Sequence, residues 1–276
     1  MEFYAVEQRS MKAEPMTLLT PALSIGNVGQ LAVDLLIASL QTHKVGYLDD
    51  PCILPCIGND PYHAVDKGEL AVALEVYEEQ DDDLRIVQQR APVIKGSMLK
   101  FSRSFSNWAN SNNTGEVVIL SGVDSGKRPM RDIGSSPIRY ISTANPDGTD
   151  PRCEALGWKK LEDYLPSSDA WRKLDAQSLQ EEDEALKDTD LQMSDEMYYP
   201  SLPFASLFSC CKARGLKAVC ILLFCSEGDN IQDAFFLGDA LQIFRSLNTI
   251  GSRPQTWNVP YSWRSVYGPP PDPTMY

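Results

Sequence analysis

Residues 17–40, TLLTPALSIGNVGQLAVDLLIASL, decide the fold of this chain. A β-type apolar run stops at Gly26, and an apolar helix begins within two residues. This order predicts the first strand-to-helix unit of an α/β fold, where nucleotide-binding proteins carry a phosphate loop. Residues 26–30 (GNVGQ) have neither the three glycines of the dinucleotide fingerprint nor the lysine and hydroxyl residue of a P-loop.

The residues of this loop favour a structural role over ligand binding. Asn27 and Gln30 stand three positions apart, which is a capping-box pattern that satisfies free backbone N–H groups at a helix start. Gly26 and Gly29 permit a tight turn and close packing of the helix on the strand. The alternative is an anion at the helix N-terminus, as in a nucleoside- or nucleotide-binding α/β enzyme that uses residues 26–30. Because no Lys or Arg follows before the next predicted strand, we favour capping.

The helix that follows is apolar nearly all the way round. Between positions 28 and 40, the residues that are not apolar side chains are Gly29, Gln30, Asp34 and Ser39. A helix that covers one side of a sheet has polar residues over about half of its circumference. This helix is therefore either buried under loops of its own chain or covered by another chain. We predict an interface, with Leu31, Leu35 and Leu36 as partner-binding residues.

The remaining chain alternates between short apolar runs and amphipathic stretches. The runs predict strands at 44–48, 69–77, 84–90, 116–122, 138–141 and 217–225. Helices are predicted at 95–110, at 204–214 and from 230 to about 248. This alternation predicts a three-layer α/β/α sandwich with a mixed central sheet. The acidic run at 78–83 (EEQDDD) reads as a solvent-exposed hairpin turn between two of the strands.

Composition disfavours several classes of function. The formal net charge of −13 and the isoelectric point of about 4.6 disfavour binding to nucleic acid or to an anionic membrane. No secretory signal and no apolar run of membrane-spanning length are recognisable, so we expect no membrane association. Seven cysteines without zinc-ligand spacing favour reduced thiols in a cytoplasmic or nuclear protein, and we expect no metal or other cofactor.

We find no pattern of catalytic residues. The two histidines, His43 and His63, have no Ser or Cys neighbour in a nucleophile elbow. Glu227, Asp229 and Asp233 could hold a hard cation, but Asp or Asn at this position also caps the following helix, and capping is favoured. The sequence therefore predicts a protein that is not an enzyme.

Two segments differ from the rest of the chain. Residues 1–256 are predicted to form a single α/β domain, in which the acidic stretch at 167–200 is a mobile insertion. Residues 257–276 are predicted to form an aromatic segment that packs on the body, followed by a proline-rich arm. The arm ends in Met275 and Tyr276, which are candidates for insertion into a pocket on a partner; the alternative is a frayed tail.

Several blocks of sequence together resemble the proteasome assembly chaperone 2 family. The first is residues 24–36 (SIGNVGQLAVDLL). The others are 44–47 (KVGY), 58–62 (GNDPY), 226–230 (SEGDN) and 257–268 (WNVPYSWRSVYG). The blocks keep their order over most of the chain, and residues 150–200 match least.

The resemblance implies a non-enzymatic chaperone whose fold is like that of the purine nucleoside phosphorylases. It implies a heterodimer with proteasome assembly chaperone 1 that binds proteasome α-subunits and promotes assembly of the α-ring of the core particle. Some members end in a hydrophobic–tyrosine–any-residue motif that enters pockets between α-subunits. Because this sequence ends in Met275-Tyr276, it is one residue short of that motif.

Overall fold

The computed structural model describes residues 1–6, 11–63, 69–80, 83–161, 204–247 and 256–265 of the 276-residue chain. The predicted insertion at 167–200 and the end of the predicted arm, with Met275 and Tyr276, lie outside the described residues. No helix in the described ranges combines the length and apolar character needed to cross a bilayer.

A mixed sheet of nine strands forms the centre of the structure. Its strands are β1 Glu2–Ala5, β2 Met16–Pro21, β3 Thr42–Asp49, β6 Leu74–Glu79, β7 Leu84–Gln89, β8 Thr114–Asp124, β9 Ile138–Ser142, β10 Lys159–Lys160 and β11 Ala218–Cys225. Their spatial order is β1-β3-β6-β7-β2-β8-β11-β9-β10. The four strands β7, β2, β8 and β11 run parallel to one another, and antiparallel pairs flank them on both sides. A separate two-stranded ribbon consists of β4 Ile57–Asn59 and β5 Leu70–Val72.

Helices cover both faces of the sheet. They are α1 Val28–Ser39, α2 Met98–Ser111, α3 Pro151–Ala155, α4 Ala205–Ala213 and α5 Ile231–Arg245. Alternate residues of each central strand point to opposite faces. In β8, Val117 and Ile119 pack with α2 and α4, whereas Val118 and Leu120 pack with α1 and α5. The predicted three-layer α/β/α sandwich with a mixed sheet is confirmed, and its likeness to purine nucleoside phosphorylases stays a prediction.

Most of the predicted elements are present with shifted bounds. The helix predicted at 95–110 is present as α2, and its apolar face is buried: Met98, Leu99, Phe101, Phe105, Trp108 and Ala109. The strand predicted at 69–77 is instead divided between the ribbon strand β5 and the sheet strand β6. At the end of α4, Gly215 has φ +70°, as expected for a residue that follows a helix in the left-handed conformation.

The exposed acidic turn predicted at 78–83 is wrong for its first two residues. Glu78 and Glu79 lie in β6 and are almost completely buried. Arg85, on the neighbouring strand, binds Glu78 at 2.8 Å, and Arg245 at the end of α5 binds Glu79 at 2.8 Å. These two carboxylates are buried because each has a guanidinium partner, which offsets the cost of removing the charge from water.

Close packing of α1 on the sheet depends on Gly29. A Cβ atom at this position would lie 2.5 Å from the backbone oxygen of Leu120 in β8. Backbone cannot move aside as a flexible side chain can, so we expect Gly29→Ala to destabilise the protein by about 1–3 kcal/mol despite the higher helix propensity of alanine. Urea denaturation measures the change. Gly134→Ala is the control, because a Cβ there meets no atom within 4 Å and the backbone is unstrained; equal stability of the two variants would contradict the prediction.

Candidate functional site

The outer side of α1 is covered by the chain itself. Leu35 has no exposed surface and forms an apolar cluster with Ala234 of α5 and Trp263. Leu36 is equally buried and packs toward the sheet, while Leu31 stays partly exposed at the edge of the cluster. The prediction that Leu35 and Leu36 contact a partner is therefore corrected: Ala234 and Trp263 pack on Leu35, and Leu36 is enclosed in the core between α1 and the sheet.

The segment 256–265 is held on the body by specific contacts. The Trp257 Nε1–H donates to Asp239 Oδ1 at 2.8 Å. The indole ring packs closely on Gly238, where an added Cβ atom would lie only 3.1 Å from the ring. The Asn258 backbone N–H donates to Ser39 Oγ at 2.8 Å, at the end of α1. The predicted packing of the aromatic segment on the body is thus present for the described part of this segment.

In the part of the chain that the structure describes, an exposed apolar surface lies instead on α5. Phe236, Ile243 and Leu247 are each between 42% and 46% exposed. Their spacing of seven and four residues places them on one side of the helix and its last turn. We call these three residues the α5 stripe. The sequence carries a signal here too, because α5 has apolar residues on all sides, but the prediction from sequence places the interface on α1.

The loop at 26–30 does not form the predicted capping box. Asn27 adopts a left-handed conformation with φ 51°, and its side chain caps no backbone N–H. Gln30 contributes its backbone carbonyl, which accepts a bond from Gln88 Nε2 at 2.9 Å. Gly26, with φ +59°, is required because the Asn230 side chain occupies the space that a Cβ would take. The loop thus interlocks with the start of α5.

The loop before α5 is arranged by its own polar residues. Asp229 Oδ1 accepts a bond at 3.2 Å from the N–H of Ile231, the first residue of α5, but Asn230 at the N-cap position makes no side-chain cap bond. The Asn230 Nδ2–H₂ donates to Ser226 O and to Asp233 Oδ2, both at 2.9 Å. Among the described residues, no three His, Cys, Asp or Glu side chains converge as metal ligands.

A buried network of charges lies beneath the end of α1. Arg90 Nε donates to Glu75 Oε2 at 2.7 Å, and Arg90 Nη1 lies 3.1 Å from Asp34 Oδ1. The Tyr62 O–H donates to the same Asp34 oxygen at 2.6 Å, and Lys44 Nζ lies 2.7 Å from Glu75 Oε1. Asp34, which interrupts the apolar run of α1, thus has a structural partner set that the sequence did not indicate.

The network sets the protonation of its members. Burial opposes the charge of Arg90, but the carboxylates of Asp34 and Glu75 outweigh this effect and raise the pKa of the guanidinium. Burial, together with the charge of Asp34, raises the pKa of Tyr62 well above its usual value. The phenol therefore stays protonated and remains a hydrogen-bond donor to Asp34.

A groove of about 840 Å³ lies beside this network, between the end of α1, β3, the turn at 60–63 and the segment 257–264. Both histidines line it, and His63 Nδ1 lies 3.0 Å from Asp60 Oδ2. Burial opposes ionisation of Asp60, but bonds from the Tyr62 N–H and His63 lower its pKa. The described residues that line the groove include no Ser or Cys, and the hydroxyl groups among them are those of Thr42, Tyr62 and Tyr77.

The sequence of the chain is similar to that of known proteins over most of its length. The profile of the PAC2 family matches residues 18–231, which is most of the chain. The chain belongs to the PAC2 family. Proteins named proteasome assembly chaperone 2 are similar to this PAC2-family chain over most of its length. The relative from Danio rerio is 33% identical over 91% of each chain, and that from Nematostella vectensis is 35% identical over 85% of this chain and 92% of its own.

Solved structures support the PAC2-family fold. Pyrococcus furiosus PbaA, described as an archaeal homologue of proteasome-assembly chaperone, superposes with a TM-score of 0.56 at 14% identity. The alignment covers 92% of this chain and 84% of PbaA. A Thermoplasma acidophilum protein of unknown function gives a TM-score of 0.55 at 15% identity, over 88% of this chain and 79% of its own. At these identities the likeness concerns the fold alone.

The buried network predicts a large cost for one substitution in this PAC2-family chain. Glu75→Gln leaves the charges of Arg90 and Lys44 without their buried carboxylate, so we expect a loss of about 3 kcal/mol in the free energy of unfolding. Glu69→Gln is the matched control, because Glu69 lies 3.6 Å from the same Lys44 but its side chain is 59% exposed. Its expected loss is below about 1 kcal/mol. Chemical denaturation of both variants tests this, and similar losses would refute the assignment.

Proposed function

We propose that this chain is a non-enzymatic chaperone that forms a heterodimer with proteasome assembly chaperone 1 and promotes assembly of the α-ring of the proteasome core particle. The observation that carries the proposal is the similarity to proteins named proteasome assembly chaperone 2, which extends over 85–91% of the chain for the two relatives above.

The packing of the strand-to-helix loop supports a role without catalysis. In an α/β enzyme, a ligand lies beyond the carboxyl ends of the parallel strands. Here the Asn230 side chain packs against Gly26 at that edge, and Gly29 packs directly on β8. The residues of the loop therefore contact protein where a phosphate would otherwise be held.

The α5 stripe supports association with a second chaperone chain. Stable subunit interfaces are more apolar than transient ones, and they bury apolar side chains that are exposed in the free protomer. Phe236, Ile243 and Leu247 provide such a surface, adjacent to the helix where the sequence predicted an interface. We assign the chaperone 1 contact to this stripe and keep Leu31, which is partly exposed on α1, as a further candidate.

The C-terminal arm is proposed to contact the α-subunits. The contacts of Trp257, Asn258 and Ser262 fix the segment from which the arm continues. Met275 and Tyr276 would then enter a pocket between α-subunits.

Deleting residues 275–276 should weaken the capture of α-subunits several-fold and leave the heterodimer intact. Unchanged capture in a pull-down would remove the arm from the proposal.

We also propose that the protein acts in the cytoplasm and nucleus.

Co-purification tests the function and the stripe together. The full chain, co-expressed with a chaperone 1 partner and proteasome α-subunits, should retain both through affinity purification and gel filtration. Phe236→Asp with Ile243→Asp should weaken the heterodimer at least about 30-fold, since central apolar contacts contribute about 2 kcal/mol or more.

The control is Gln232→Asp, an exposed position on the same helix that adds a charge without removing an apolar contact. Thermal unfolding of each variant shows that the fold is retained. A soluble wild-type monomer that binds a nucleotide and ignores both chaperone 1 and α-subunits would refute the function. A heterodimer unaffected by the double substitution would refute the stripe alone.

A further inference from the structure

The loop between β8 and β9, residues 125–137, carries the most exposed large apolar side chain among the described residues. Met130 is 85% exposed, and Ile133, on the same loop, is 57% exposed. Neither takes part in a core cluster of the described chain. We refer to residues 125–137 as the β8–β9 loop. Apolar side chains kept this exposed on a structured loop are typical of a contact surface.

The β8–β9 loop is held in one conformation by internal bonds. The guanidinium of Arg128 donates to three backbone carbonyls of the loop, those of Asp132, Ile133 and Ser135. The Asp132 carboxylate binds Arg139 Nη2 at 2.9 Å and Lys159 Nζ at 2.6 Å. A loop that is ordered before binding loses less conformational entropy when a partner binds. The exposed tip is therefore preorganised for contact.

The surroundings of the tip are basic, in contrast to the whole chain. Lys127 and Arg131 flank Met130 and are exposed, although the protein has a net charge of −13. A cavity of about 490 Å³ beside the loop is lined by Arg131, Lys159 and Lys160, together with the aromatic rings of Tyr140 and Trp158. Asp132 and Glu154 also line it, and Asp132 is already paired with Lys159 and with Arg139. The three cations of the lining exceed its two carboxylates by one, which suits an acidic side chain.

We propose that the β8–β9 loop docks on the proteasome α-subunit, at a surface where carboxylates surround an apolar pocket. Met130 and Ile133 enter the pocket, while Lys127, Arg131 and the basic cavity bind the carboxylates. This inference rests on the proposed function. The assignment to the α-subunit follows from the chemistry of the two exposed surfaces, since charged surfaces suit reversible contacts and the apolar α5 stripe suits the permanent partner.

The test uses the full chain co-expressed with its chaperone 1 partner, and measures binding to purified α-subunits by surface plasmon resonance. Met130→Asp with Ile133→Asp should weaken the affinity at least about 10-fold. Lys127→Glu with Arg131→Glu should slow association about 10-fold at low salt, and the difference should largely disappear at about 1 M salt.

Matched controls carry the same changes elsewhere. Ile57→Asp replaces another exposed apolar residue, on β4, and Lys212→Glu with Lys217→Glu reverses two other exposed charges. Both should bind α-subunits within about twofold of wild type.

Undiminished binding by the Met130/Ile133 variant would overturn the inference. Loss of the chaperone 1 partner from that variant would overturn it too, because the loop would then belong to the heterodimer interface. Failure of the wild-type heterodimer to bind α-subunits would instead refute the proposed function, and the α-subunit as occupant with it.

Discussion

The guanidinium of Arg90 joins two carboxylates that come from different layers of the molecule. Asp34 lies on α1, and Glu75 lies in the interior of the antiparallel part of the sheet. Buried charges are tolerated only when their partners are in place, so this contact fixes α1 relative to β6. Tyr62 adds the turn at 60–63, whose Pro61 carbonyl accepts a bond from Ser262. The turn that the C-terminal segment contacts is thus tied to the same ion-paired centre.

Protein side chains occupy the space at the carboxyl ends of two of the parallel strands. In α/β enzymes, the loops at the carboxyl ends of the parallel strands leave space for a ligand. Here the two loops that follow β2 and β11 pack on each other through Gly26 and Asn230. Residues that could have bound a ligand instead hold α1 and α5 together. The surfaces proposed to contact partners, the α5 stripe and the β8–β9 loop, are exposed apolar residues elsewhere on the molecule.

Local patterns in the sequence predicted the layers but not the coverage of their surfaces. The alternation of β8 and the apolar face of α2 depend on residues close in sequence, so periodicity alone located them. The burial of Glu79 depends on Arg245, which is 166 positions away, and no local pattern could indicate it. For the same reason, an all-round apolar α1 could not reveal that α5 and Trp263 cover it. The capping box failed because Asn27 satisfies the geometry of the turn rather than that of a cap.

The β8–β9 loop carries basic residues on a chain that is acidic overall. With a net charge of −13, the protein repels an acidic partner over much of its surface, whereas Lys127 and Arg131 would attract it. Such a field orients a partner before contact and penalises other approaches. The apolar residues Met130 and Ile133 stand at the point to which the field directs it. In the proposed chaperone, orientation by charge and retention by a small apolar contact would together give binding that is specific and yet weak enough to be reversed.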